Sequence, residues 1–177
     1  MEQYSRILQV VGYQNSGKST LMEKVIKASS DLGWQVASIK HHGHHTAQKR
    51  EGLLKDSERH EAAGAFMTAV EGGGSLQIHI KNQQWTLPKL VRLYEGFSPD
   101  VILVEGFKKE HYPKVVLLRG EEDLVLLEEV DQIVCAITWK PLIIDSLDFP
   151  IYNLTESDIY LEYILQKLSD DYGSRSI

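Results

Sequence analysis

The chain has 177 residues, 42% hydrophobic and 25% charged, which suffices for one ordinary domain with a packed core. A net charge of -6 and a pI near 5.6 argue against a broad basic surface for nucleic acid, and a single cysteine, Cys135 in "QIVCAIT", excludes an internal disulfide and reads as core. No apolar run approaches the ~20 residues that cross a bilayer, and the N-terminal residues carry no apolar h-region. The expectation is a cytoplasmic protein that engages neither nucleic acid nor membrane.

Arg6 to Gly12 reads as a buried strand, because "ILQVV" is nearly continuous apolar. After a glycine-rich turn, Lys18 to Leu32 reads as a helix, with Leu21, Val25, Ala28 and Leu32 toward the sheet and Gly33 as its stop. "QVASIK" is a second strand, so a parallel strand–helix–strand unit opens the chain. His41 to Leu54 lacks periodicity and reads as a long loop, a kind that is often functional. "KDSERHEAAGA" is a short helix capped by Asp56 or Ser57. "AFMTAV", "EGGGS" and "LQIHIKN" form a hairpin expected to lie toward a sheet edge, and the edge at Leu76 to Asn82 is the expected surface of self-association.

"TLPKLVRLYEGF" is an amphipathic helix with Pro88 in its first turn. "DVILVEGF", "KVVLLRG" and "QIVCAITW" are further strands, and "FPIYN" is a short extended piece. "SDIYLEYILQKL" closes the fold as a helix with Leu161, Ile164, Leu165 and Leu168 buried. Residues 1–170 read as a single domain and 171–177 as a frayed tail.

Three stretches carry chemistry. "GYQNSGKS" matches G-x-x-x-x-G-K-[ST] at every fixed position, after a strand and before a helix. Gly12 and Gly17 let the backbone curl. The N–H groups of Asn15, Ser16, Gly17, Lys18 and Ser19 then converge at the positive end of a helix dipole, as a phosphate requires. Lys18 supplies a cation for the β- and γ-phosphates, the Ser19 hydroxyl a ligand for Mg²⁺, and Thr20 a contact for the α-phosphate. The fold class is therefore α/β, a P-loop NTPase-like three-layer arrangement around a mostly parallel sheet, with an antiparallel hairpin toward an edge.

"VILVEGF" is the second stretch: a buried strand ending in Glu105, the usual companion of a phosphate loop and a carboxylate for Mg²⁺. The third is the loop bearing His41, His42, His44 and His45, with His60 beyond it; these are five of the seven histidines. Neutral imidazoles suit a transition metal, and a loop at this strand end, beside Lys40, also suits contact with phosphates or substrate. Asp56 serves as a helix cap or as the carboxylate that orients an attacking water or Mg²⁺. Arg50 and Arg59 are the candidate arginines; with none placed by sequence at the phosphates, hydrolysis is expected to be slow.

In their order and spacing, "VVGYQNSGKSTL", "SIKHHGHH", "KDSERHEAAGA" and "ILVEGFK" resemble the molybdopterin-guanine dinucleotide biosynthesis protein B family, MobB, from Ile7 to about Leu168. The resemblance implies a dimeric GTP-binding protein with weak GTPase activity and Mg²⁺. It implies a role in assisting the guanylyltransferase that attaches GMP to molybdopterin, which gives the guanine dinucleotide. The chain departs from the family pattern at Thr46, where an aspartate is common, and it has no N-K-x-D to read guanine; "CAITWKP" has a tryptophan there. Tyr13 stands where some dimeric P-loop proteins carry a lysine. The rival readings are a nickel- or zinc-delivery GTPase using the histidine loop, and a small-molecule kinase or ligase.

Overall fold

The computed structural model describes residues 5–41, 55–81, 84–142 and 147–174. These fall into two compact units, one comprising the described residues up to 41 and from Leu87 on, the other the described residues between them.

In the first unit, β1 (Arg6–Gly12), β2 (Val36–Lys40), β5 (Val101–Glu105), β6 (Lys114–Leu118), β7 (Ile133–Thr138) and β8 (Ile151–Asn153) form one sheet in the order β2-β5-β1-β6-β7-β8. All of its pairings are parallel. The opening strand–helix–strand unit is present, but β2 does not pair with β1. Strand β5 lies between them, with Val10 and Lys40 both opposite Glu105. That insertion brings the "VILVEGF" carboxylate beside both the phosphate loop and the end of the second strand.

Alternation sorts the side chains onto two faces. Leu8, Val10, Val101, Leu103, Val115, Leu117, Cys135 and Ile137 pack with α1 (Lys18–Asp31) and α5 (Ser157–Ser174). Ile102 and Val104 face the other way, with Leu87 and Val91 of α3 (Leu87–Glu95). Val11, Val116, Leu118 and Ala136 sit on that same face against Leu126 of α4 (Val125–Glu129). Strands buried on both faces need continuous apolar runs, which is why these segments do not alternate with polar residues. Burial pushes the Cys135 thiol up to about 12, in keeping with a core role.

The helix stripes depart from the sequence reading. On α1 the buried set is Leu21, Met22, Val25 and Ser29, whereas Leu32 is 56% exposed. The helix ends at Asp31, and Leu32 and Gly33 already donate to Ser29 and Ser30 in its closing turn. On α5 the inward residues are Tyr160, Ile164 and Leu168, with Leu161 and Leu165 half-buried; α5 continues to Ser174. A 3₁₀ turn (Glu121–Asp123) and α4, unread in "EEDLVLLEEV", follow β6.

In the second unit, α2 (Lys55–Ala62) precedes the hairpin of β3 (Met67–Gly72) and β4 (Ser75–Ile80). The hairpin forms through a Gly73–Gly74 turn, but as a two-stranded sheet of its own, hydrogen-bonded to none of the six parallel strands. The buried Glu61 carboxylate accepts from Thr68 Oγ1 at 3.2 Å and pairs with His79 Nδ1, tying α2 to both strands. Asp56 and Ser57 are not caps, since α2 already includes Lys55 and both lie within its first turn.

Candidate functional site

The site lies beyond the carboxyl ends of the parallel strands, where α/β sheets bind ligands. Strand β1 ends in Gly12, where a Cβ would come within 2.5 Å of Ser16 Oγ and 3.0 Å of the Leu117 carbonyl. No larger residue permits that approach. The loop then turns through left-handed conformations at Asn15 (φ 60°) and Gly17 (φ 91°), the latter capping α1. Ser16 is fully buried, its N–H donating to the Tyr13 carbonyl at 3.3 Å, while Asn15, Ser19 and Thr20 are exposed at the mouth.

Lys18 Nζ donates to the carbonyls of Gly12 (2.9 Å) and Tyr13 (2.7 Å), so its ammonium sits over the loop it belongs to. Burial holds its pKa below the ordinary lysine value; Glu105 acts in the opposite direction, and Lys40 and Arg119 add to the lowering.

Ser19 Oγ donates to Glu105 Oε2 at 3.0 Å. Lys40 Nζ reaches both groups, at 3.0 Å from Ser19 Oγ and 3.1 Å from Glu105 Oε1. The hydroxyl and carboxylate expected to hold a divalent ion therefore converge, with an ammonium held between them. An oxygen-only donor pair beside a phosphate loop suits Mg²⁺, which takes few protein ligands and completes its shell with phosphate and water.

On the β2 side, Gly106 (φ 95°) lets His41 approach, since a Cβ there would lie 3.1 Å from His41 Cβ. The His41 ring tilts against Phe107, centroids 4.3 Å apart. On the other side, Trp139 Nε1 donates to the Ser16 carbonyl at 3.0 Å. Arg119 Nη1 reaches the Gln14 carbonyl at 3.5 Å, and its guanidinium lies 5.9 Å from the Tyr13 ring centre.

The sequence reading missed both Trp139 and Arg119. Each immediately follows a parallel strand, as Glu105 ends one, so the strand-end position was the available signal. Arg119, unlike Arg50 and Arg59, was not named from sequence, yet it is the arginine that reaches the Gln14 carbonyl of the phosphate loop. Of the arginines named from sequence, Arg59 lies in the second unit, exposed and 3.7 Å from the equally exposed Asp56, and Arg50 lies outside the described residues.

His42, His44, His45 and Thr46 also lie outside them. Of the histidine group, His41 lies at the site and His60 on α2 in the second unit. Among the described residues, no three His, Cys, Asp or Glu side chains converge as metal ligands, and no helix is long and apolar enough to cross a membrane.

A six-stranded parallel sheet, a glycine-rich loop capping α1, and Ser19 joined to a strand-end carboxylate define an α/β protein of the P-loop class. Comparison with known proteins narrows the class. A profile of the family described as "Molybdopterin guanine dinucleotide synthesis protein B", MobB, matches residues 7–139, and the chain belongs to this family. It is 38% identical over 165 residues to a Bacillus subtilis protein described as a "Probable molybdopterin-guanine dinucleotide biosynthesis adapter protein", covering 93% of this chain and 94% of that one. A Haemophilus influenzae molybdopterin-guanine dinucleotide biosynthesis adapter protein is 34% identical over 158 residues, covering 88% and 87%. The crystal structure of a MobB homologue from Bacillus stearothermophilus superposes with a TM-score of 0.76 at 37% identity, over 96% of this chain and 99% of that one.

Proposed function

We propose that this chain is a GTP-binding adapter of molybdopterin-guanine dinucleotide biosynthesis. In this reading it works as a homodimer and presents nucleotide to the guanylyltransferase that joins GMP to molybdopterin. The names of its relatives support the pathway, and the observation that carries the nucleotide chemistry is the Ser19–Glu105–Lys40 constellation beside the phosphate loop.

The roles follow from chemistry. The backbone from Gly12 to Thr20 cradles the phosphates. Lys18 exchanges its two carbonyl partners for phosphate oxygens, a stronger charge-assisted pairing. Ser19 and Glu105 hold Mg²⁺, which neutralises phosphate charge when bound. Lys40, displaced from between them, and His41 turn toward the terminal phosphate or the molybdopterin side. Asp56, on the second unit, is the candidate for orienting a water. Hydrolysis is slow in this reading, because Arg119 is already committed to Asp123 through two side-chain hydrogen bonds, at 2.8 and 2.7 Å.

The test is reconstituted GMP transfer to molybdopterin by the guanylyltransferase, with the wild-type chain or Lys18→Ala added. Stimulation by wild type alone is expected, together with GTP-dependent co-elution of the two proteins. Equal yield with and without the wild-type chain would overturn the adapter role.

A further inference from the structure

Gln9 is the polar residue of the apolar run "ILQVV", and it is fully buried in β1. Its Nε2 donates to the carbonyls of Gly106 and Phe107, each at 2.9 Å. Its Oε1 is buried and has no hydrogen-bond partner among the described residues. An unpaired buried amide oxygen is destabilising, and an apolar side chain would fill the same place without one. Core packing therefore does not account for a glutamine here; the two donated hydrogen bonds do.

Gly106 and Phe107 directly follow Glu105, and both have a left-handed φ, 95° and 54°. That conformation is uncommon for a bulky residue such as Phe107 and is found mainly where the surroundings enforce it. A trans peptide unit points its C=O and its N–H in opposite directions, and no peptide among the described residues is cis. Holding the two carbonyls inward on Gln9 thus turns the N–H groups of Phe107 and Lys108 outward. Neither N–H donates to a protein acceptor among the described residues. The segment is held at both ends. The Gly106 N–H donates to the Val10 carbonyl at 3.0 Å, and the fully buried Lys114 ammonium donates to the carbonyls of Glu110 at 2.5 Å and Tyr112 at 2.8 Å.

Phe107 and Lys108 line a cavity of about 390 Å³ that also reaches Gly12 of the phosphate loop. Successive backbone N–H groups turned to one side form a concavity suited to an anion's oxygens. Lys109 adds a cation to the same wall, and Glu110 a carboxylate. We propose that Gln9 is a positioning residue: by fixing two peptide planes it makes residues 106–108 the part of the site that tells a nucleoside triphosphate from a diphosphate. The terminal phosphate accepts from the Phe107 and Lys108 N–H groups, next to the Glu105 carboxylate that precedes them; a diphosphate carries no group to meet them. The inference rests on reading Gly12–Thr20 as the nucleotide loop.

The test is calorimetric titration of the full chain with GDP and with the non-hydrolysable GTP analogue GMPPNP, both with Mg²⁺, in wild type and Gln9→Met. The variant keeps an unbranched side chain of similar length and removes the donor. Its GMPPNP affinity is expected to fall about tenfold, as hydrogen bonds to a charged group are lost, while its GDP affinity stays within about twofold of wild type. A merely structural role would lower both affinities together, and that result, like an unchanged ratio of the two, would overturn the proposal. Amide resonances of the isotope-labelled wild-type chain give a second reading that does not depend on the variant folding. Those of Phe107 and Lys108 are expected to differ between the GMPPNP-bound and GDP-bound forms; identical positions in the two would equally overturn it. Failure of the wild-type chain to bind either nucleotide would instead overturn the phosphate-loop reading.

Discussion

Ser19 and Glu105 are 86 positions apart, yet Ser19 Oγ donates to Glu105 Oε2 at 3.0 Å. The contact exists because β5 inserts between β1 and β2, setting Glu105 opposite both Val10 and Lys40. Glu105→Gln keeps the side chain's shape and removes its charge. It is expected to lower GTP affinity roughly tenfold in the presence of Mg²⁺, about the effect of one lost charge-assisted ligand, and to leave it nearly unchanged with EDTA. Calorimetric titration in the two conditions checks this. Identical Mg²⁺ dependence in the variant and the wild type would remove Glu105 from the metal site.

Lys18 is held below the ordinary lysine pKa of 10.5, first by burial. The sign follows from proton counting. Between the lowered pKa and 10.5 the unfolded chain binds more protons than the folded one, so stability rises with pH in that window. Below the window the buried ammonium opposes folding. Lys18→Met is therefore expected to melt no lower than wild type at pH 7, with the variant's advantage shrinking as pH climbs toward 10.5. GTP affinity should fall tenfold or more. Melting curves from pH 7 to 10.5 and a GTP titration check both halves. A variant that melts well below wild type at pH 7 would mean that the Gly12 and Tyr13 hydrogen bonds outweigh the burial cost.

The phosphate loop and the central strands were legible in the sequence because each is locally determined: glycines at fixed offsets, and apolar runs buried on two faces. Glu105 was legible because a carboxylate closing an apolar strand is conspicuous. The role of Gln9 was not. A glutamine inside "ILQVV" reads as a blemish, and its purpose appears only when β5 places the Gly106 and Phe107 carbonyls within its reach. Strand order likewise depends on which segment enters between β1 and β2, a tertiary matter that periodicity does not carry. The α1 stripe was misread at Leu32 because the helix ends one residue earlier, and the residue after a helix end no longer follows its periodicity.

Asp123 is a buried carboxylate whose hydrogen-bond partners among the described residues belong to Arg119: the backbone N–H at 2.9 Å, Nε at 2.8 Å and Nη2 at 2.7 Å. The Arg119 hydrogen bonds hold its pKa below the ordinary carboxylate value. A depressed carboxylate contributes stability that is present above the unfolded pKa and is lost as pH falls through the folded one. The loss therefore lies below about pH 4. Asp123→Asn is expected to cost about 1–3 kcal/mol at pH 7, discounted because Arg119 is partly exposed, and to flatten the acid limb of the stability profile. Urea unfolding at pH 7 and pH 3 measures both effects. An unchanged midpoint at pH 7 would show that the pair contributes nothing net.

Trp139 donates its indole N–H to the Ser16 carbonyl at 3.0 Å, and its ring is the nearest side chain but one to the position a Gly17 Cβ would occupy. The residue is 46% exposed, so its environment is half solvent and half phosphate loop. Trp34 is engaged with Arg6, 4.4 Å above its ring, on a different part of the chain. Phosphate binding that reorders the Ser16–Gly17 backbone must therefore disturb Trp139 directly. Addition of GTP is expected to change the intrinsic tryptophan fluorescence, and Trp139→Phe to abolish most of that change. The same substitution should weaken GTP binding by a few-fold, the size of one lost neutral hydrogen bond of about 1 kcal/mol. A nucleotide-dependent signal that survives Trp139→Phe at full amplitude would mean that the loop stays still on binding, and that the indole supports it only as packing.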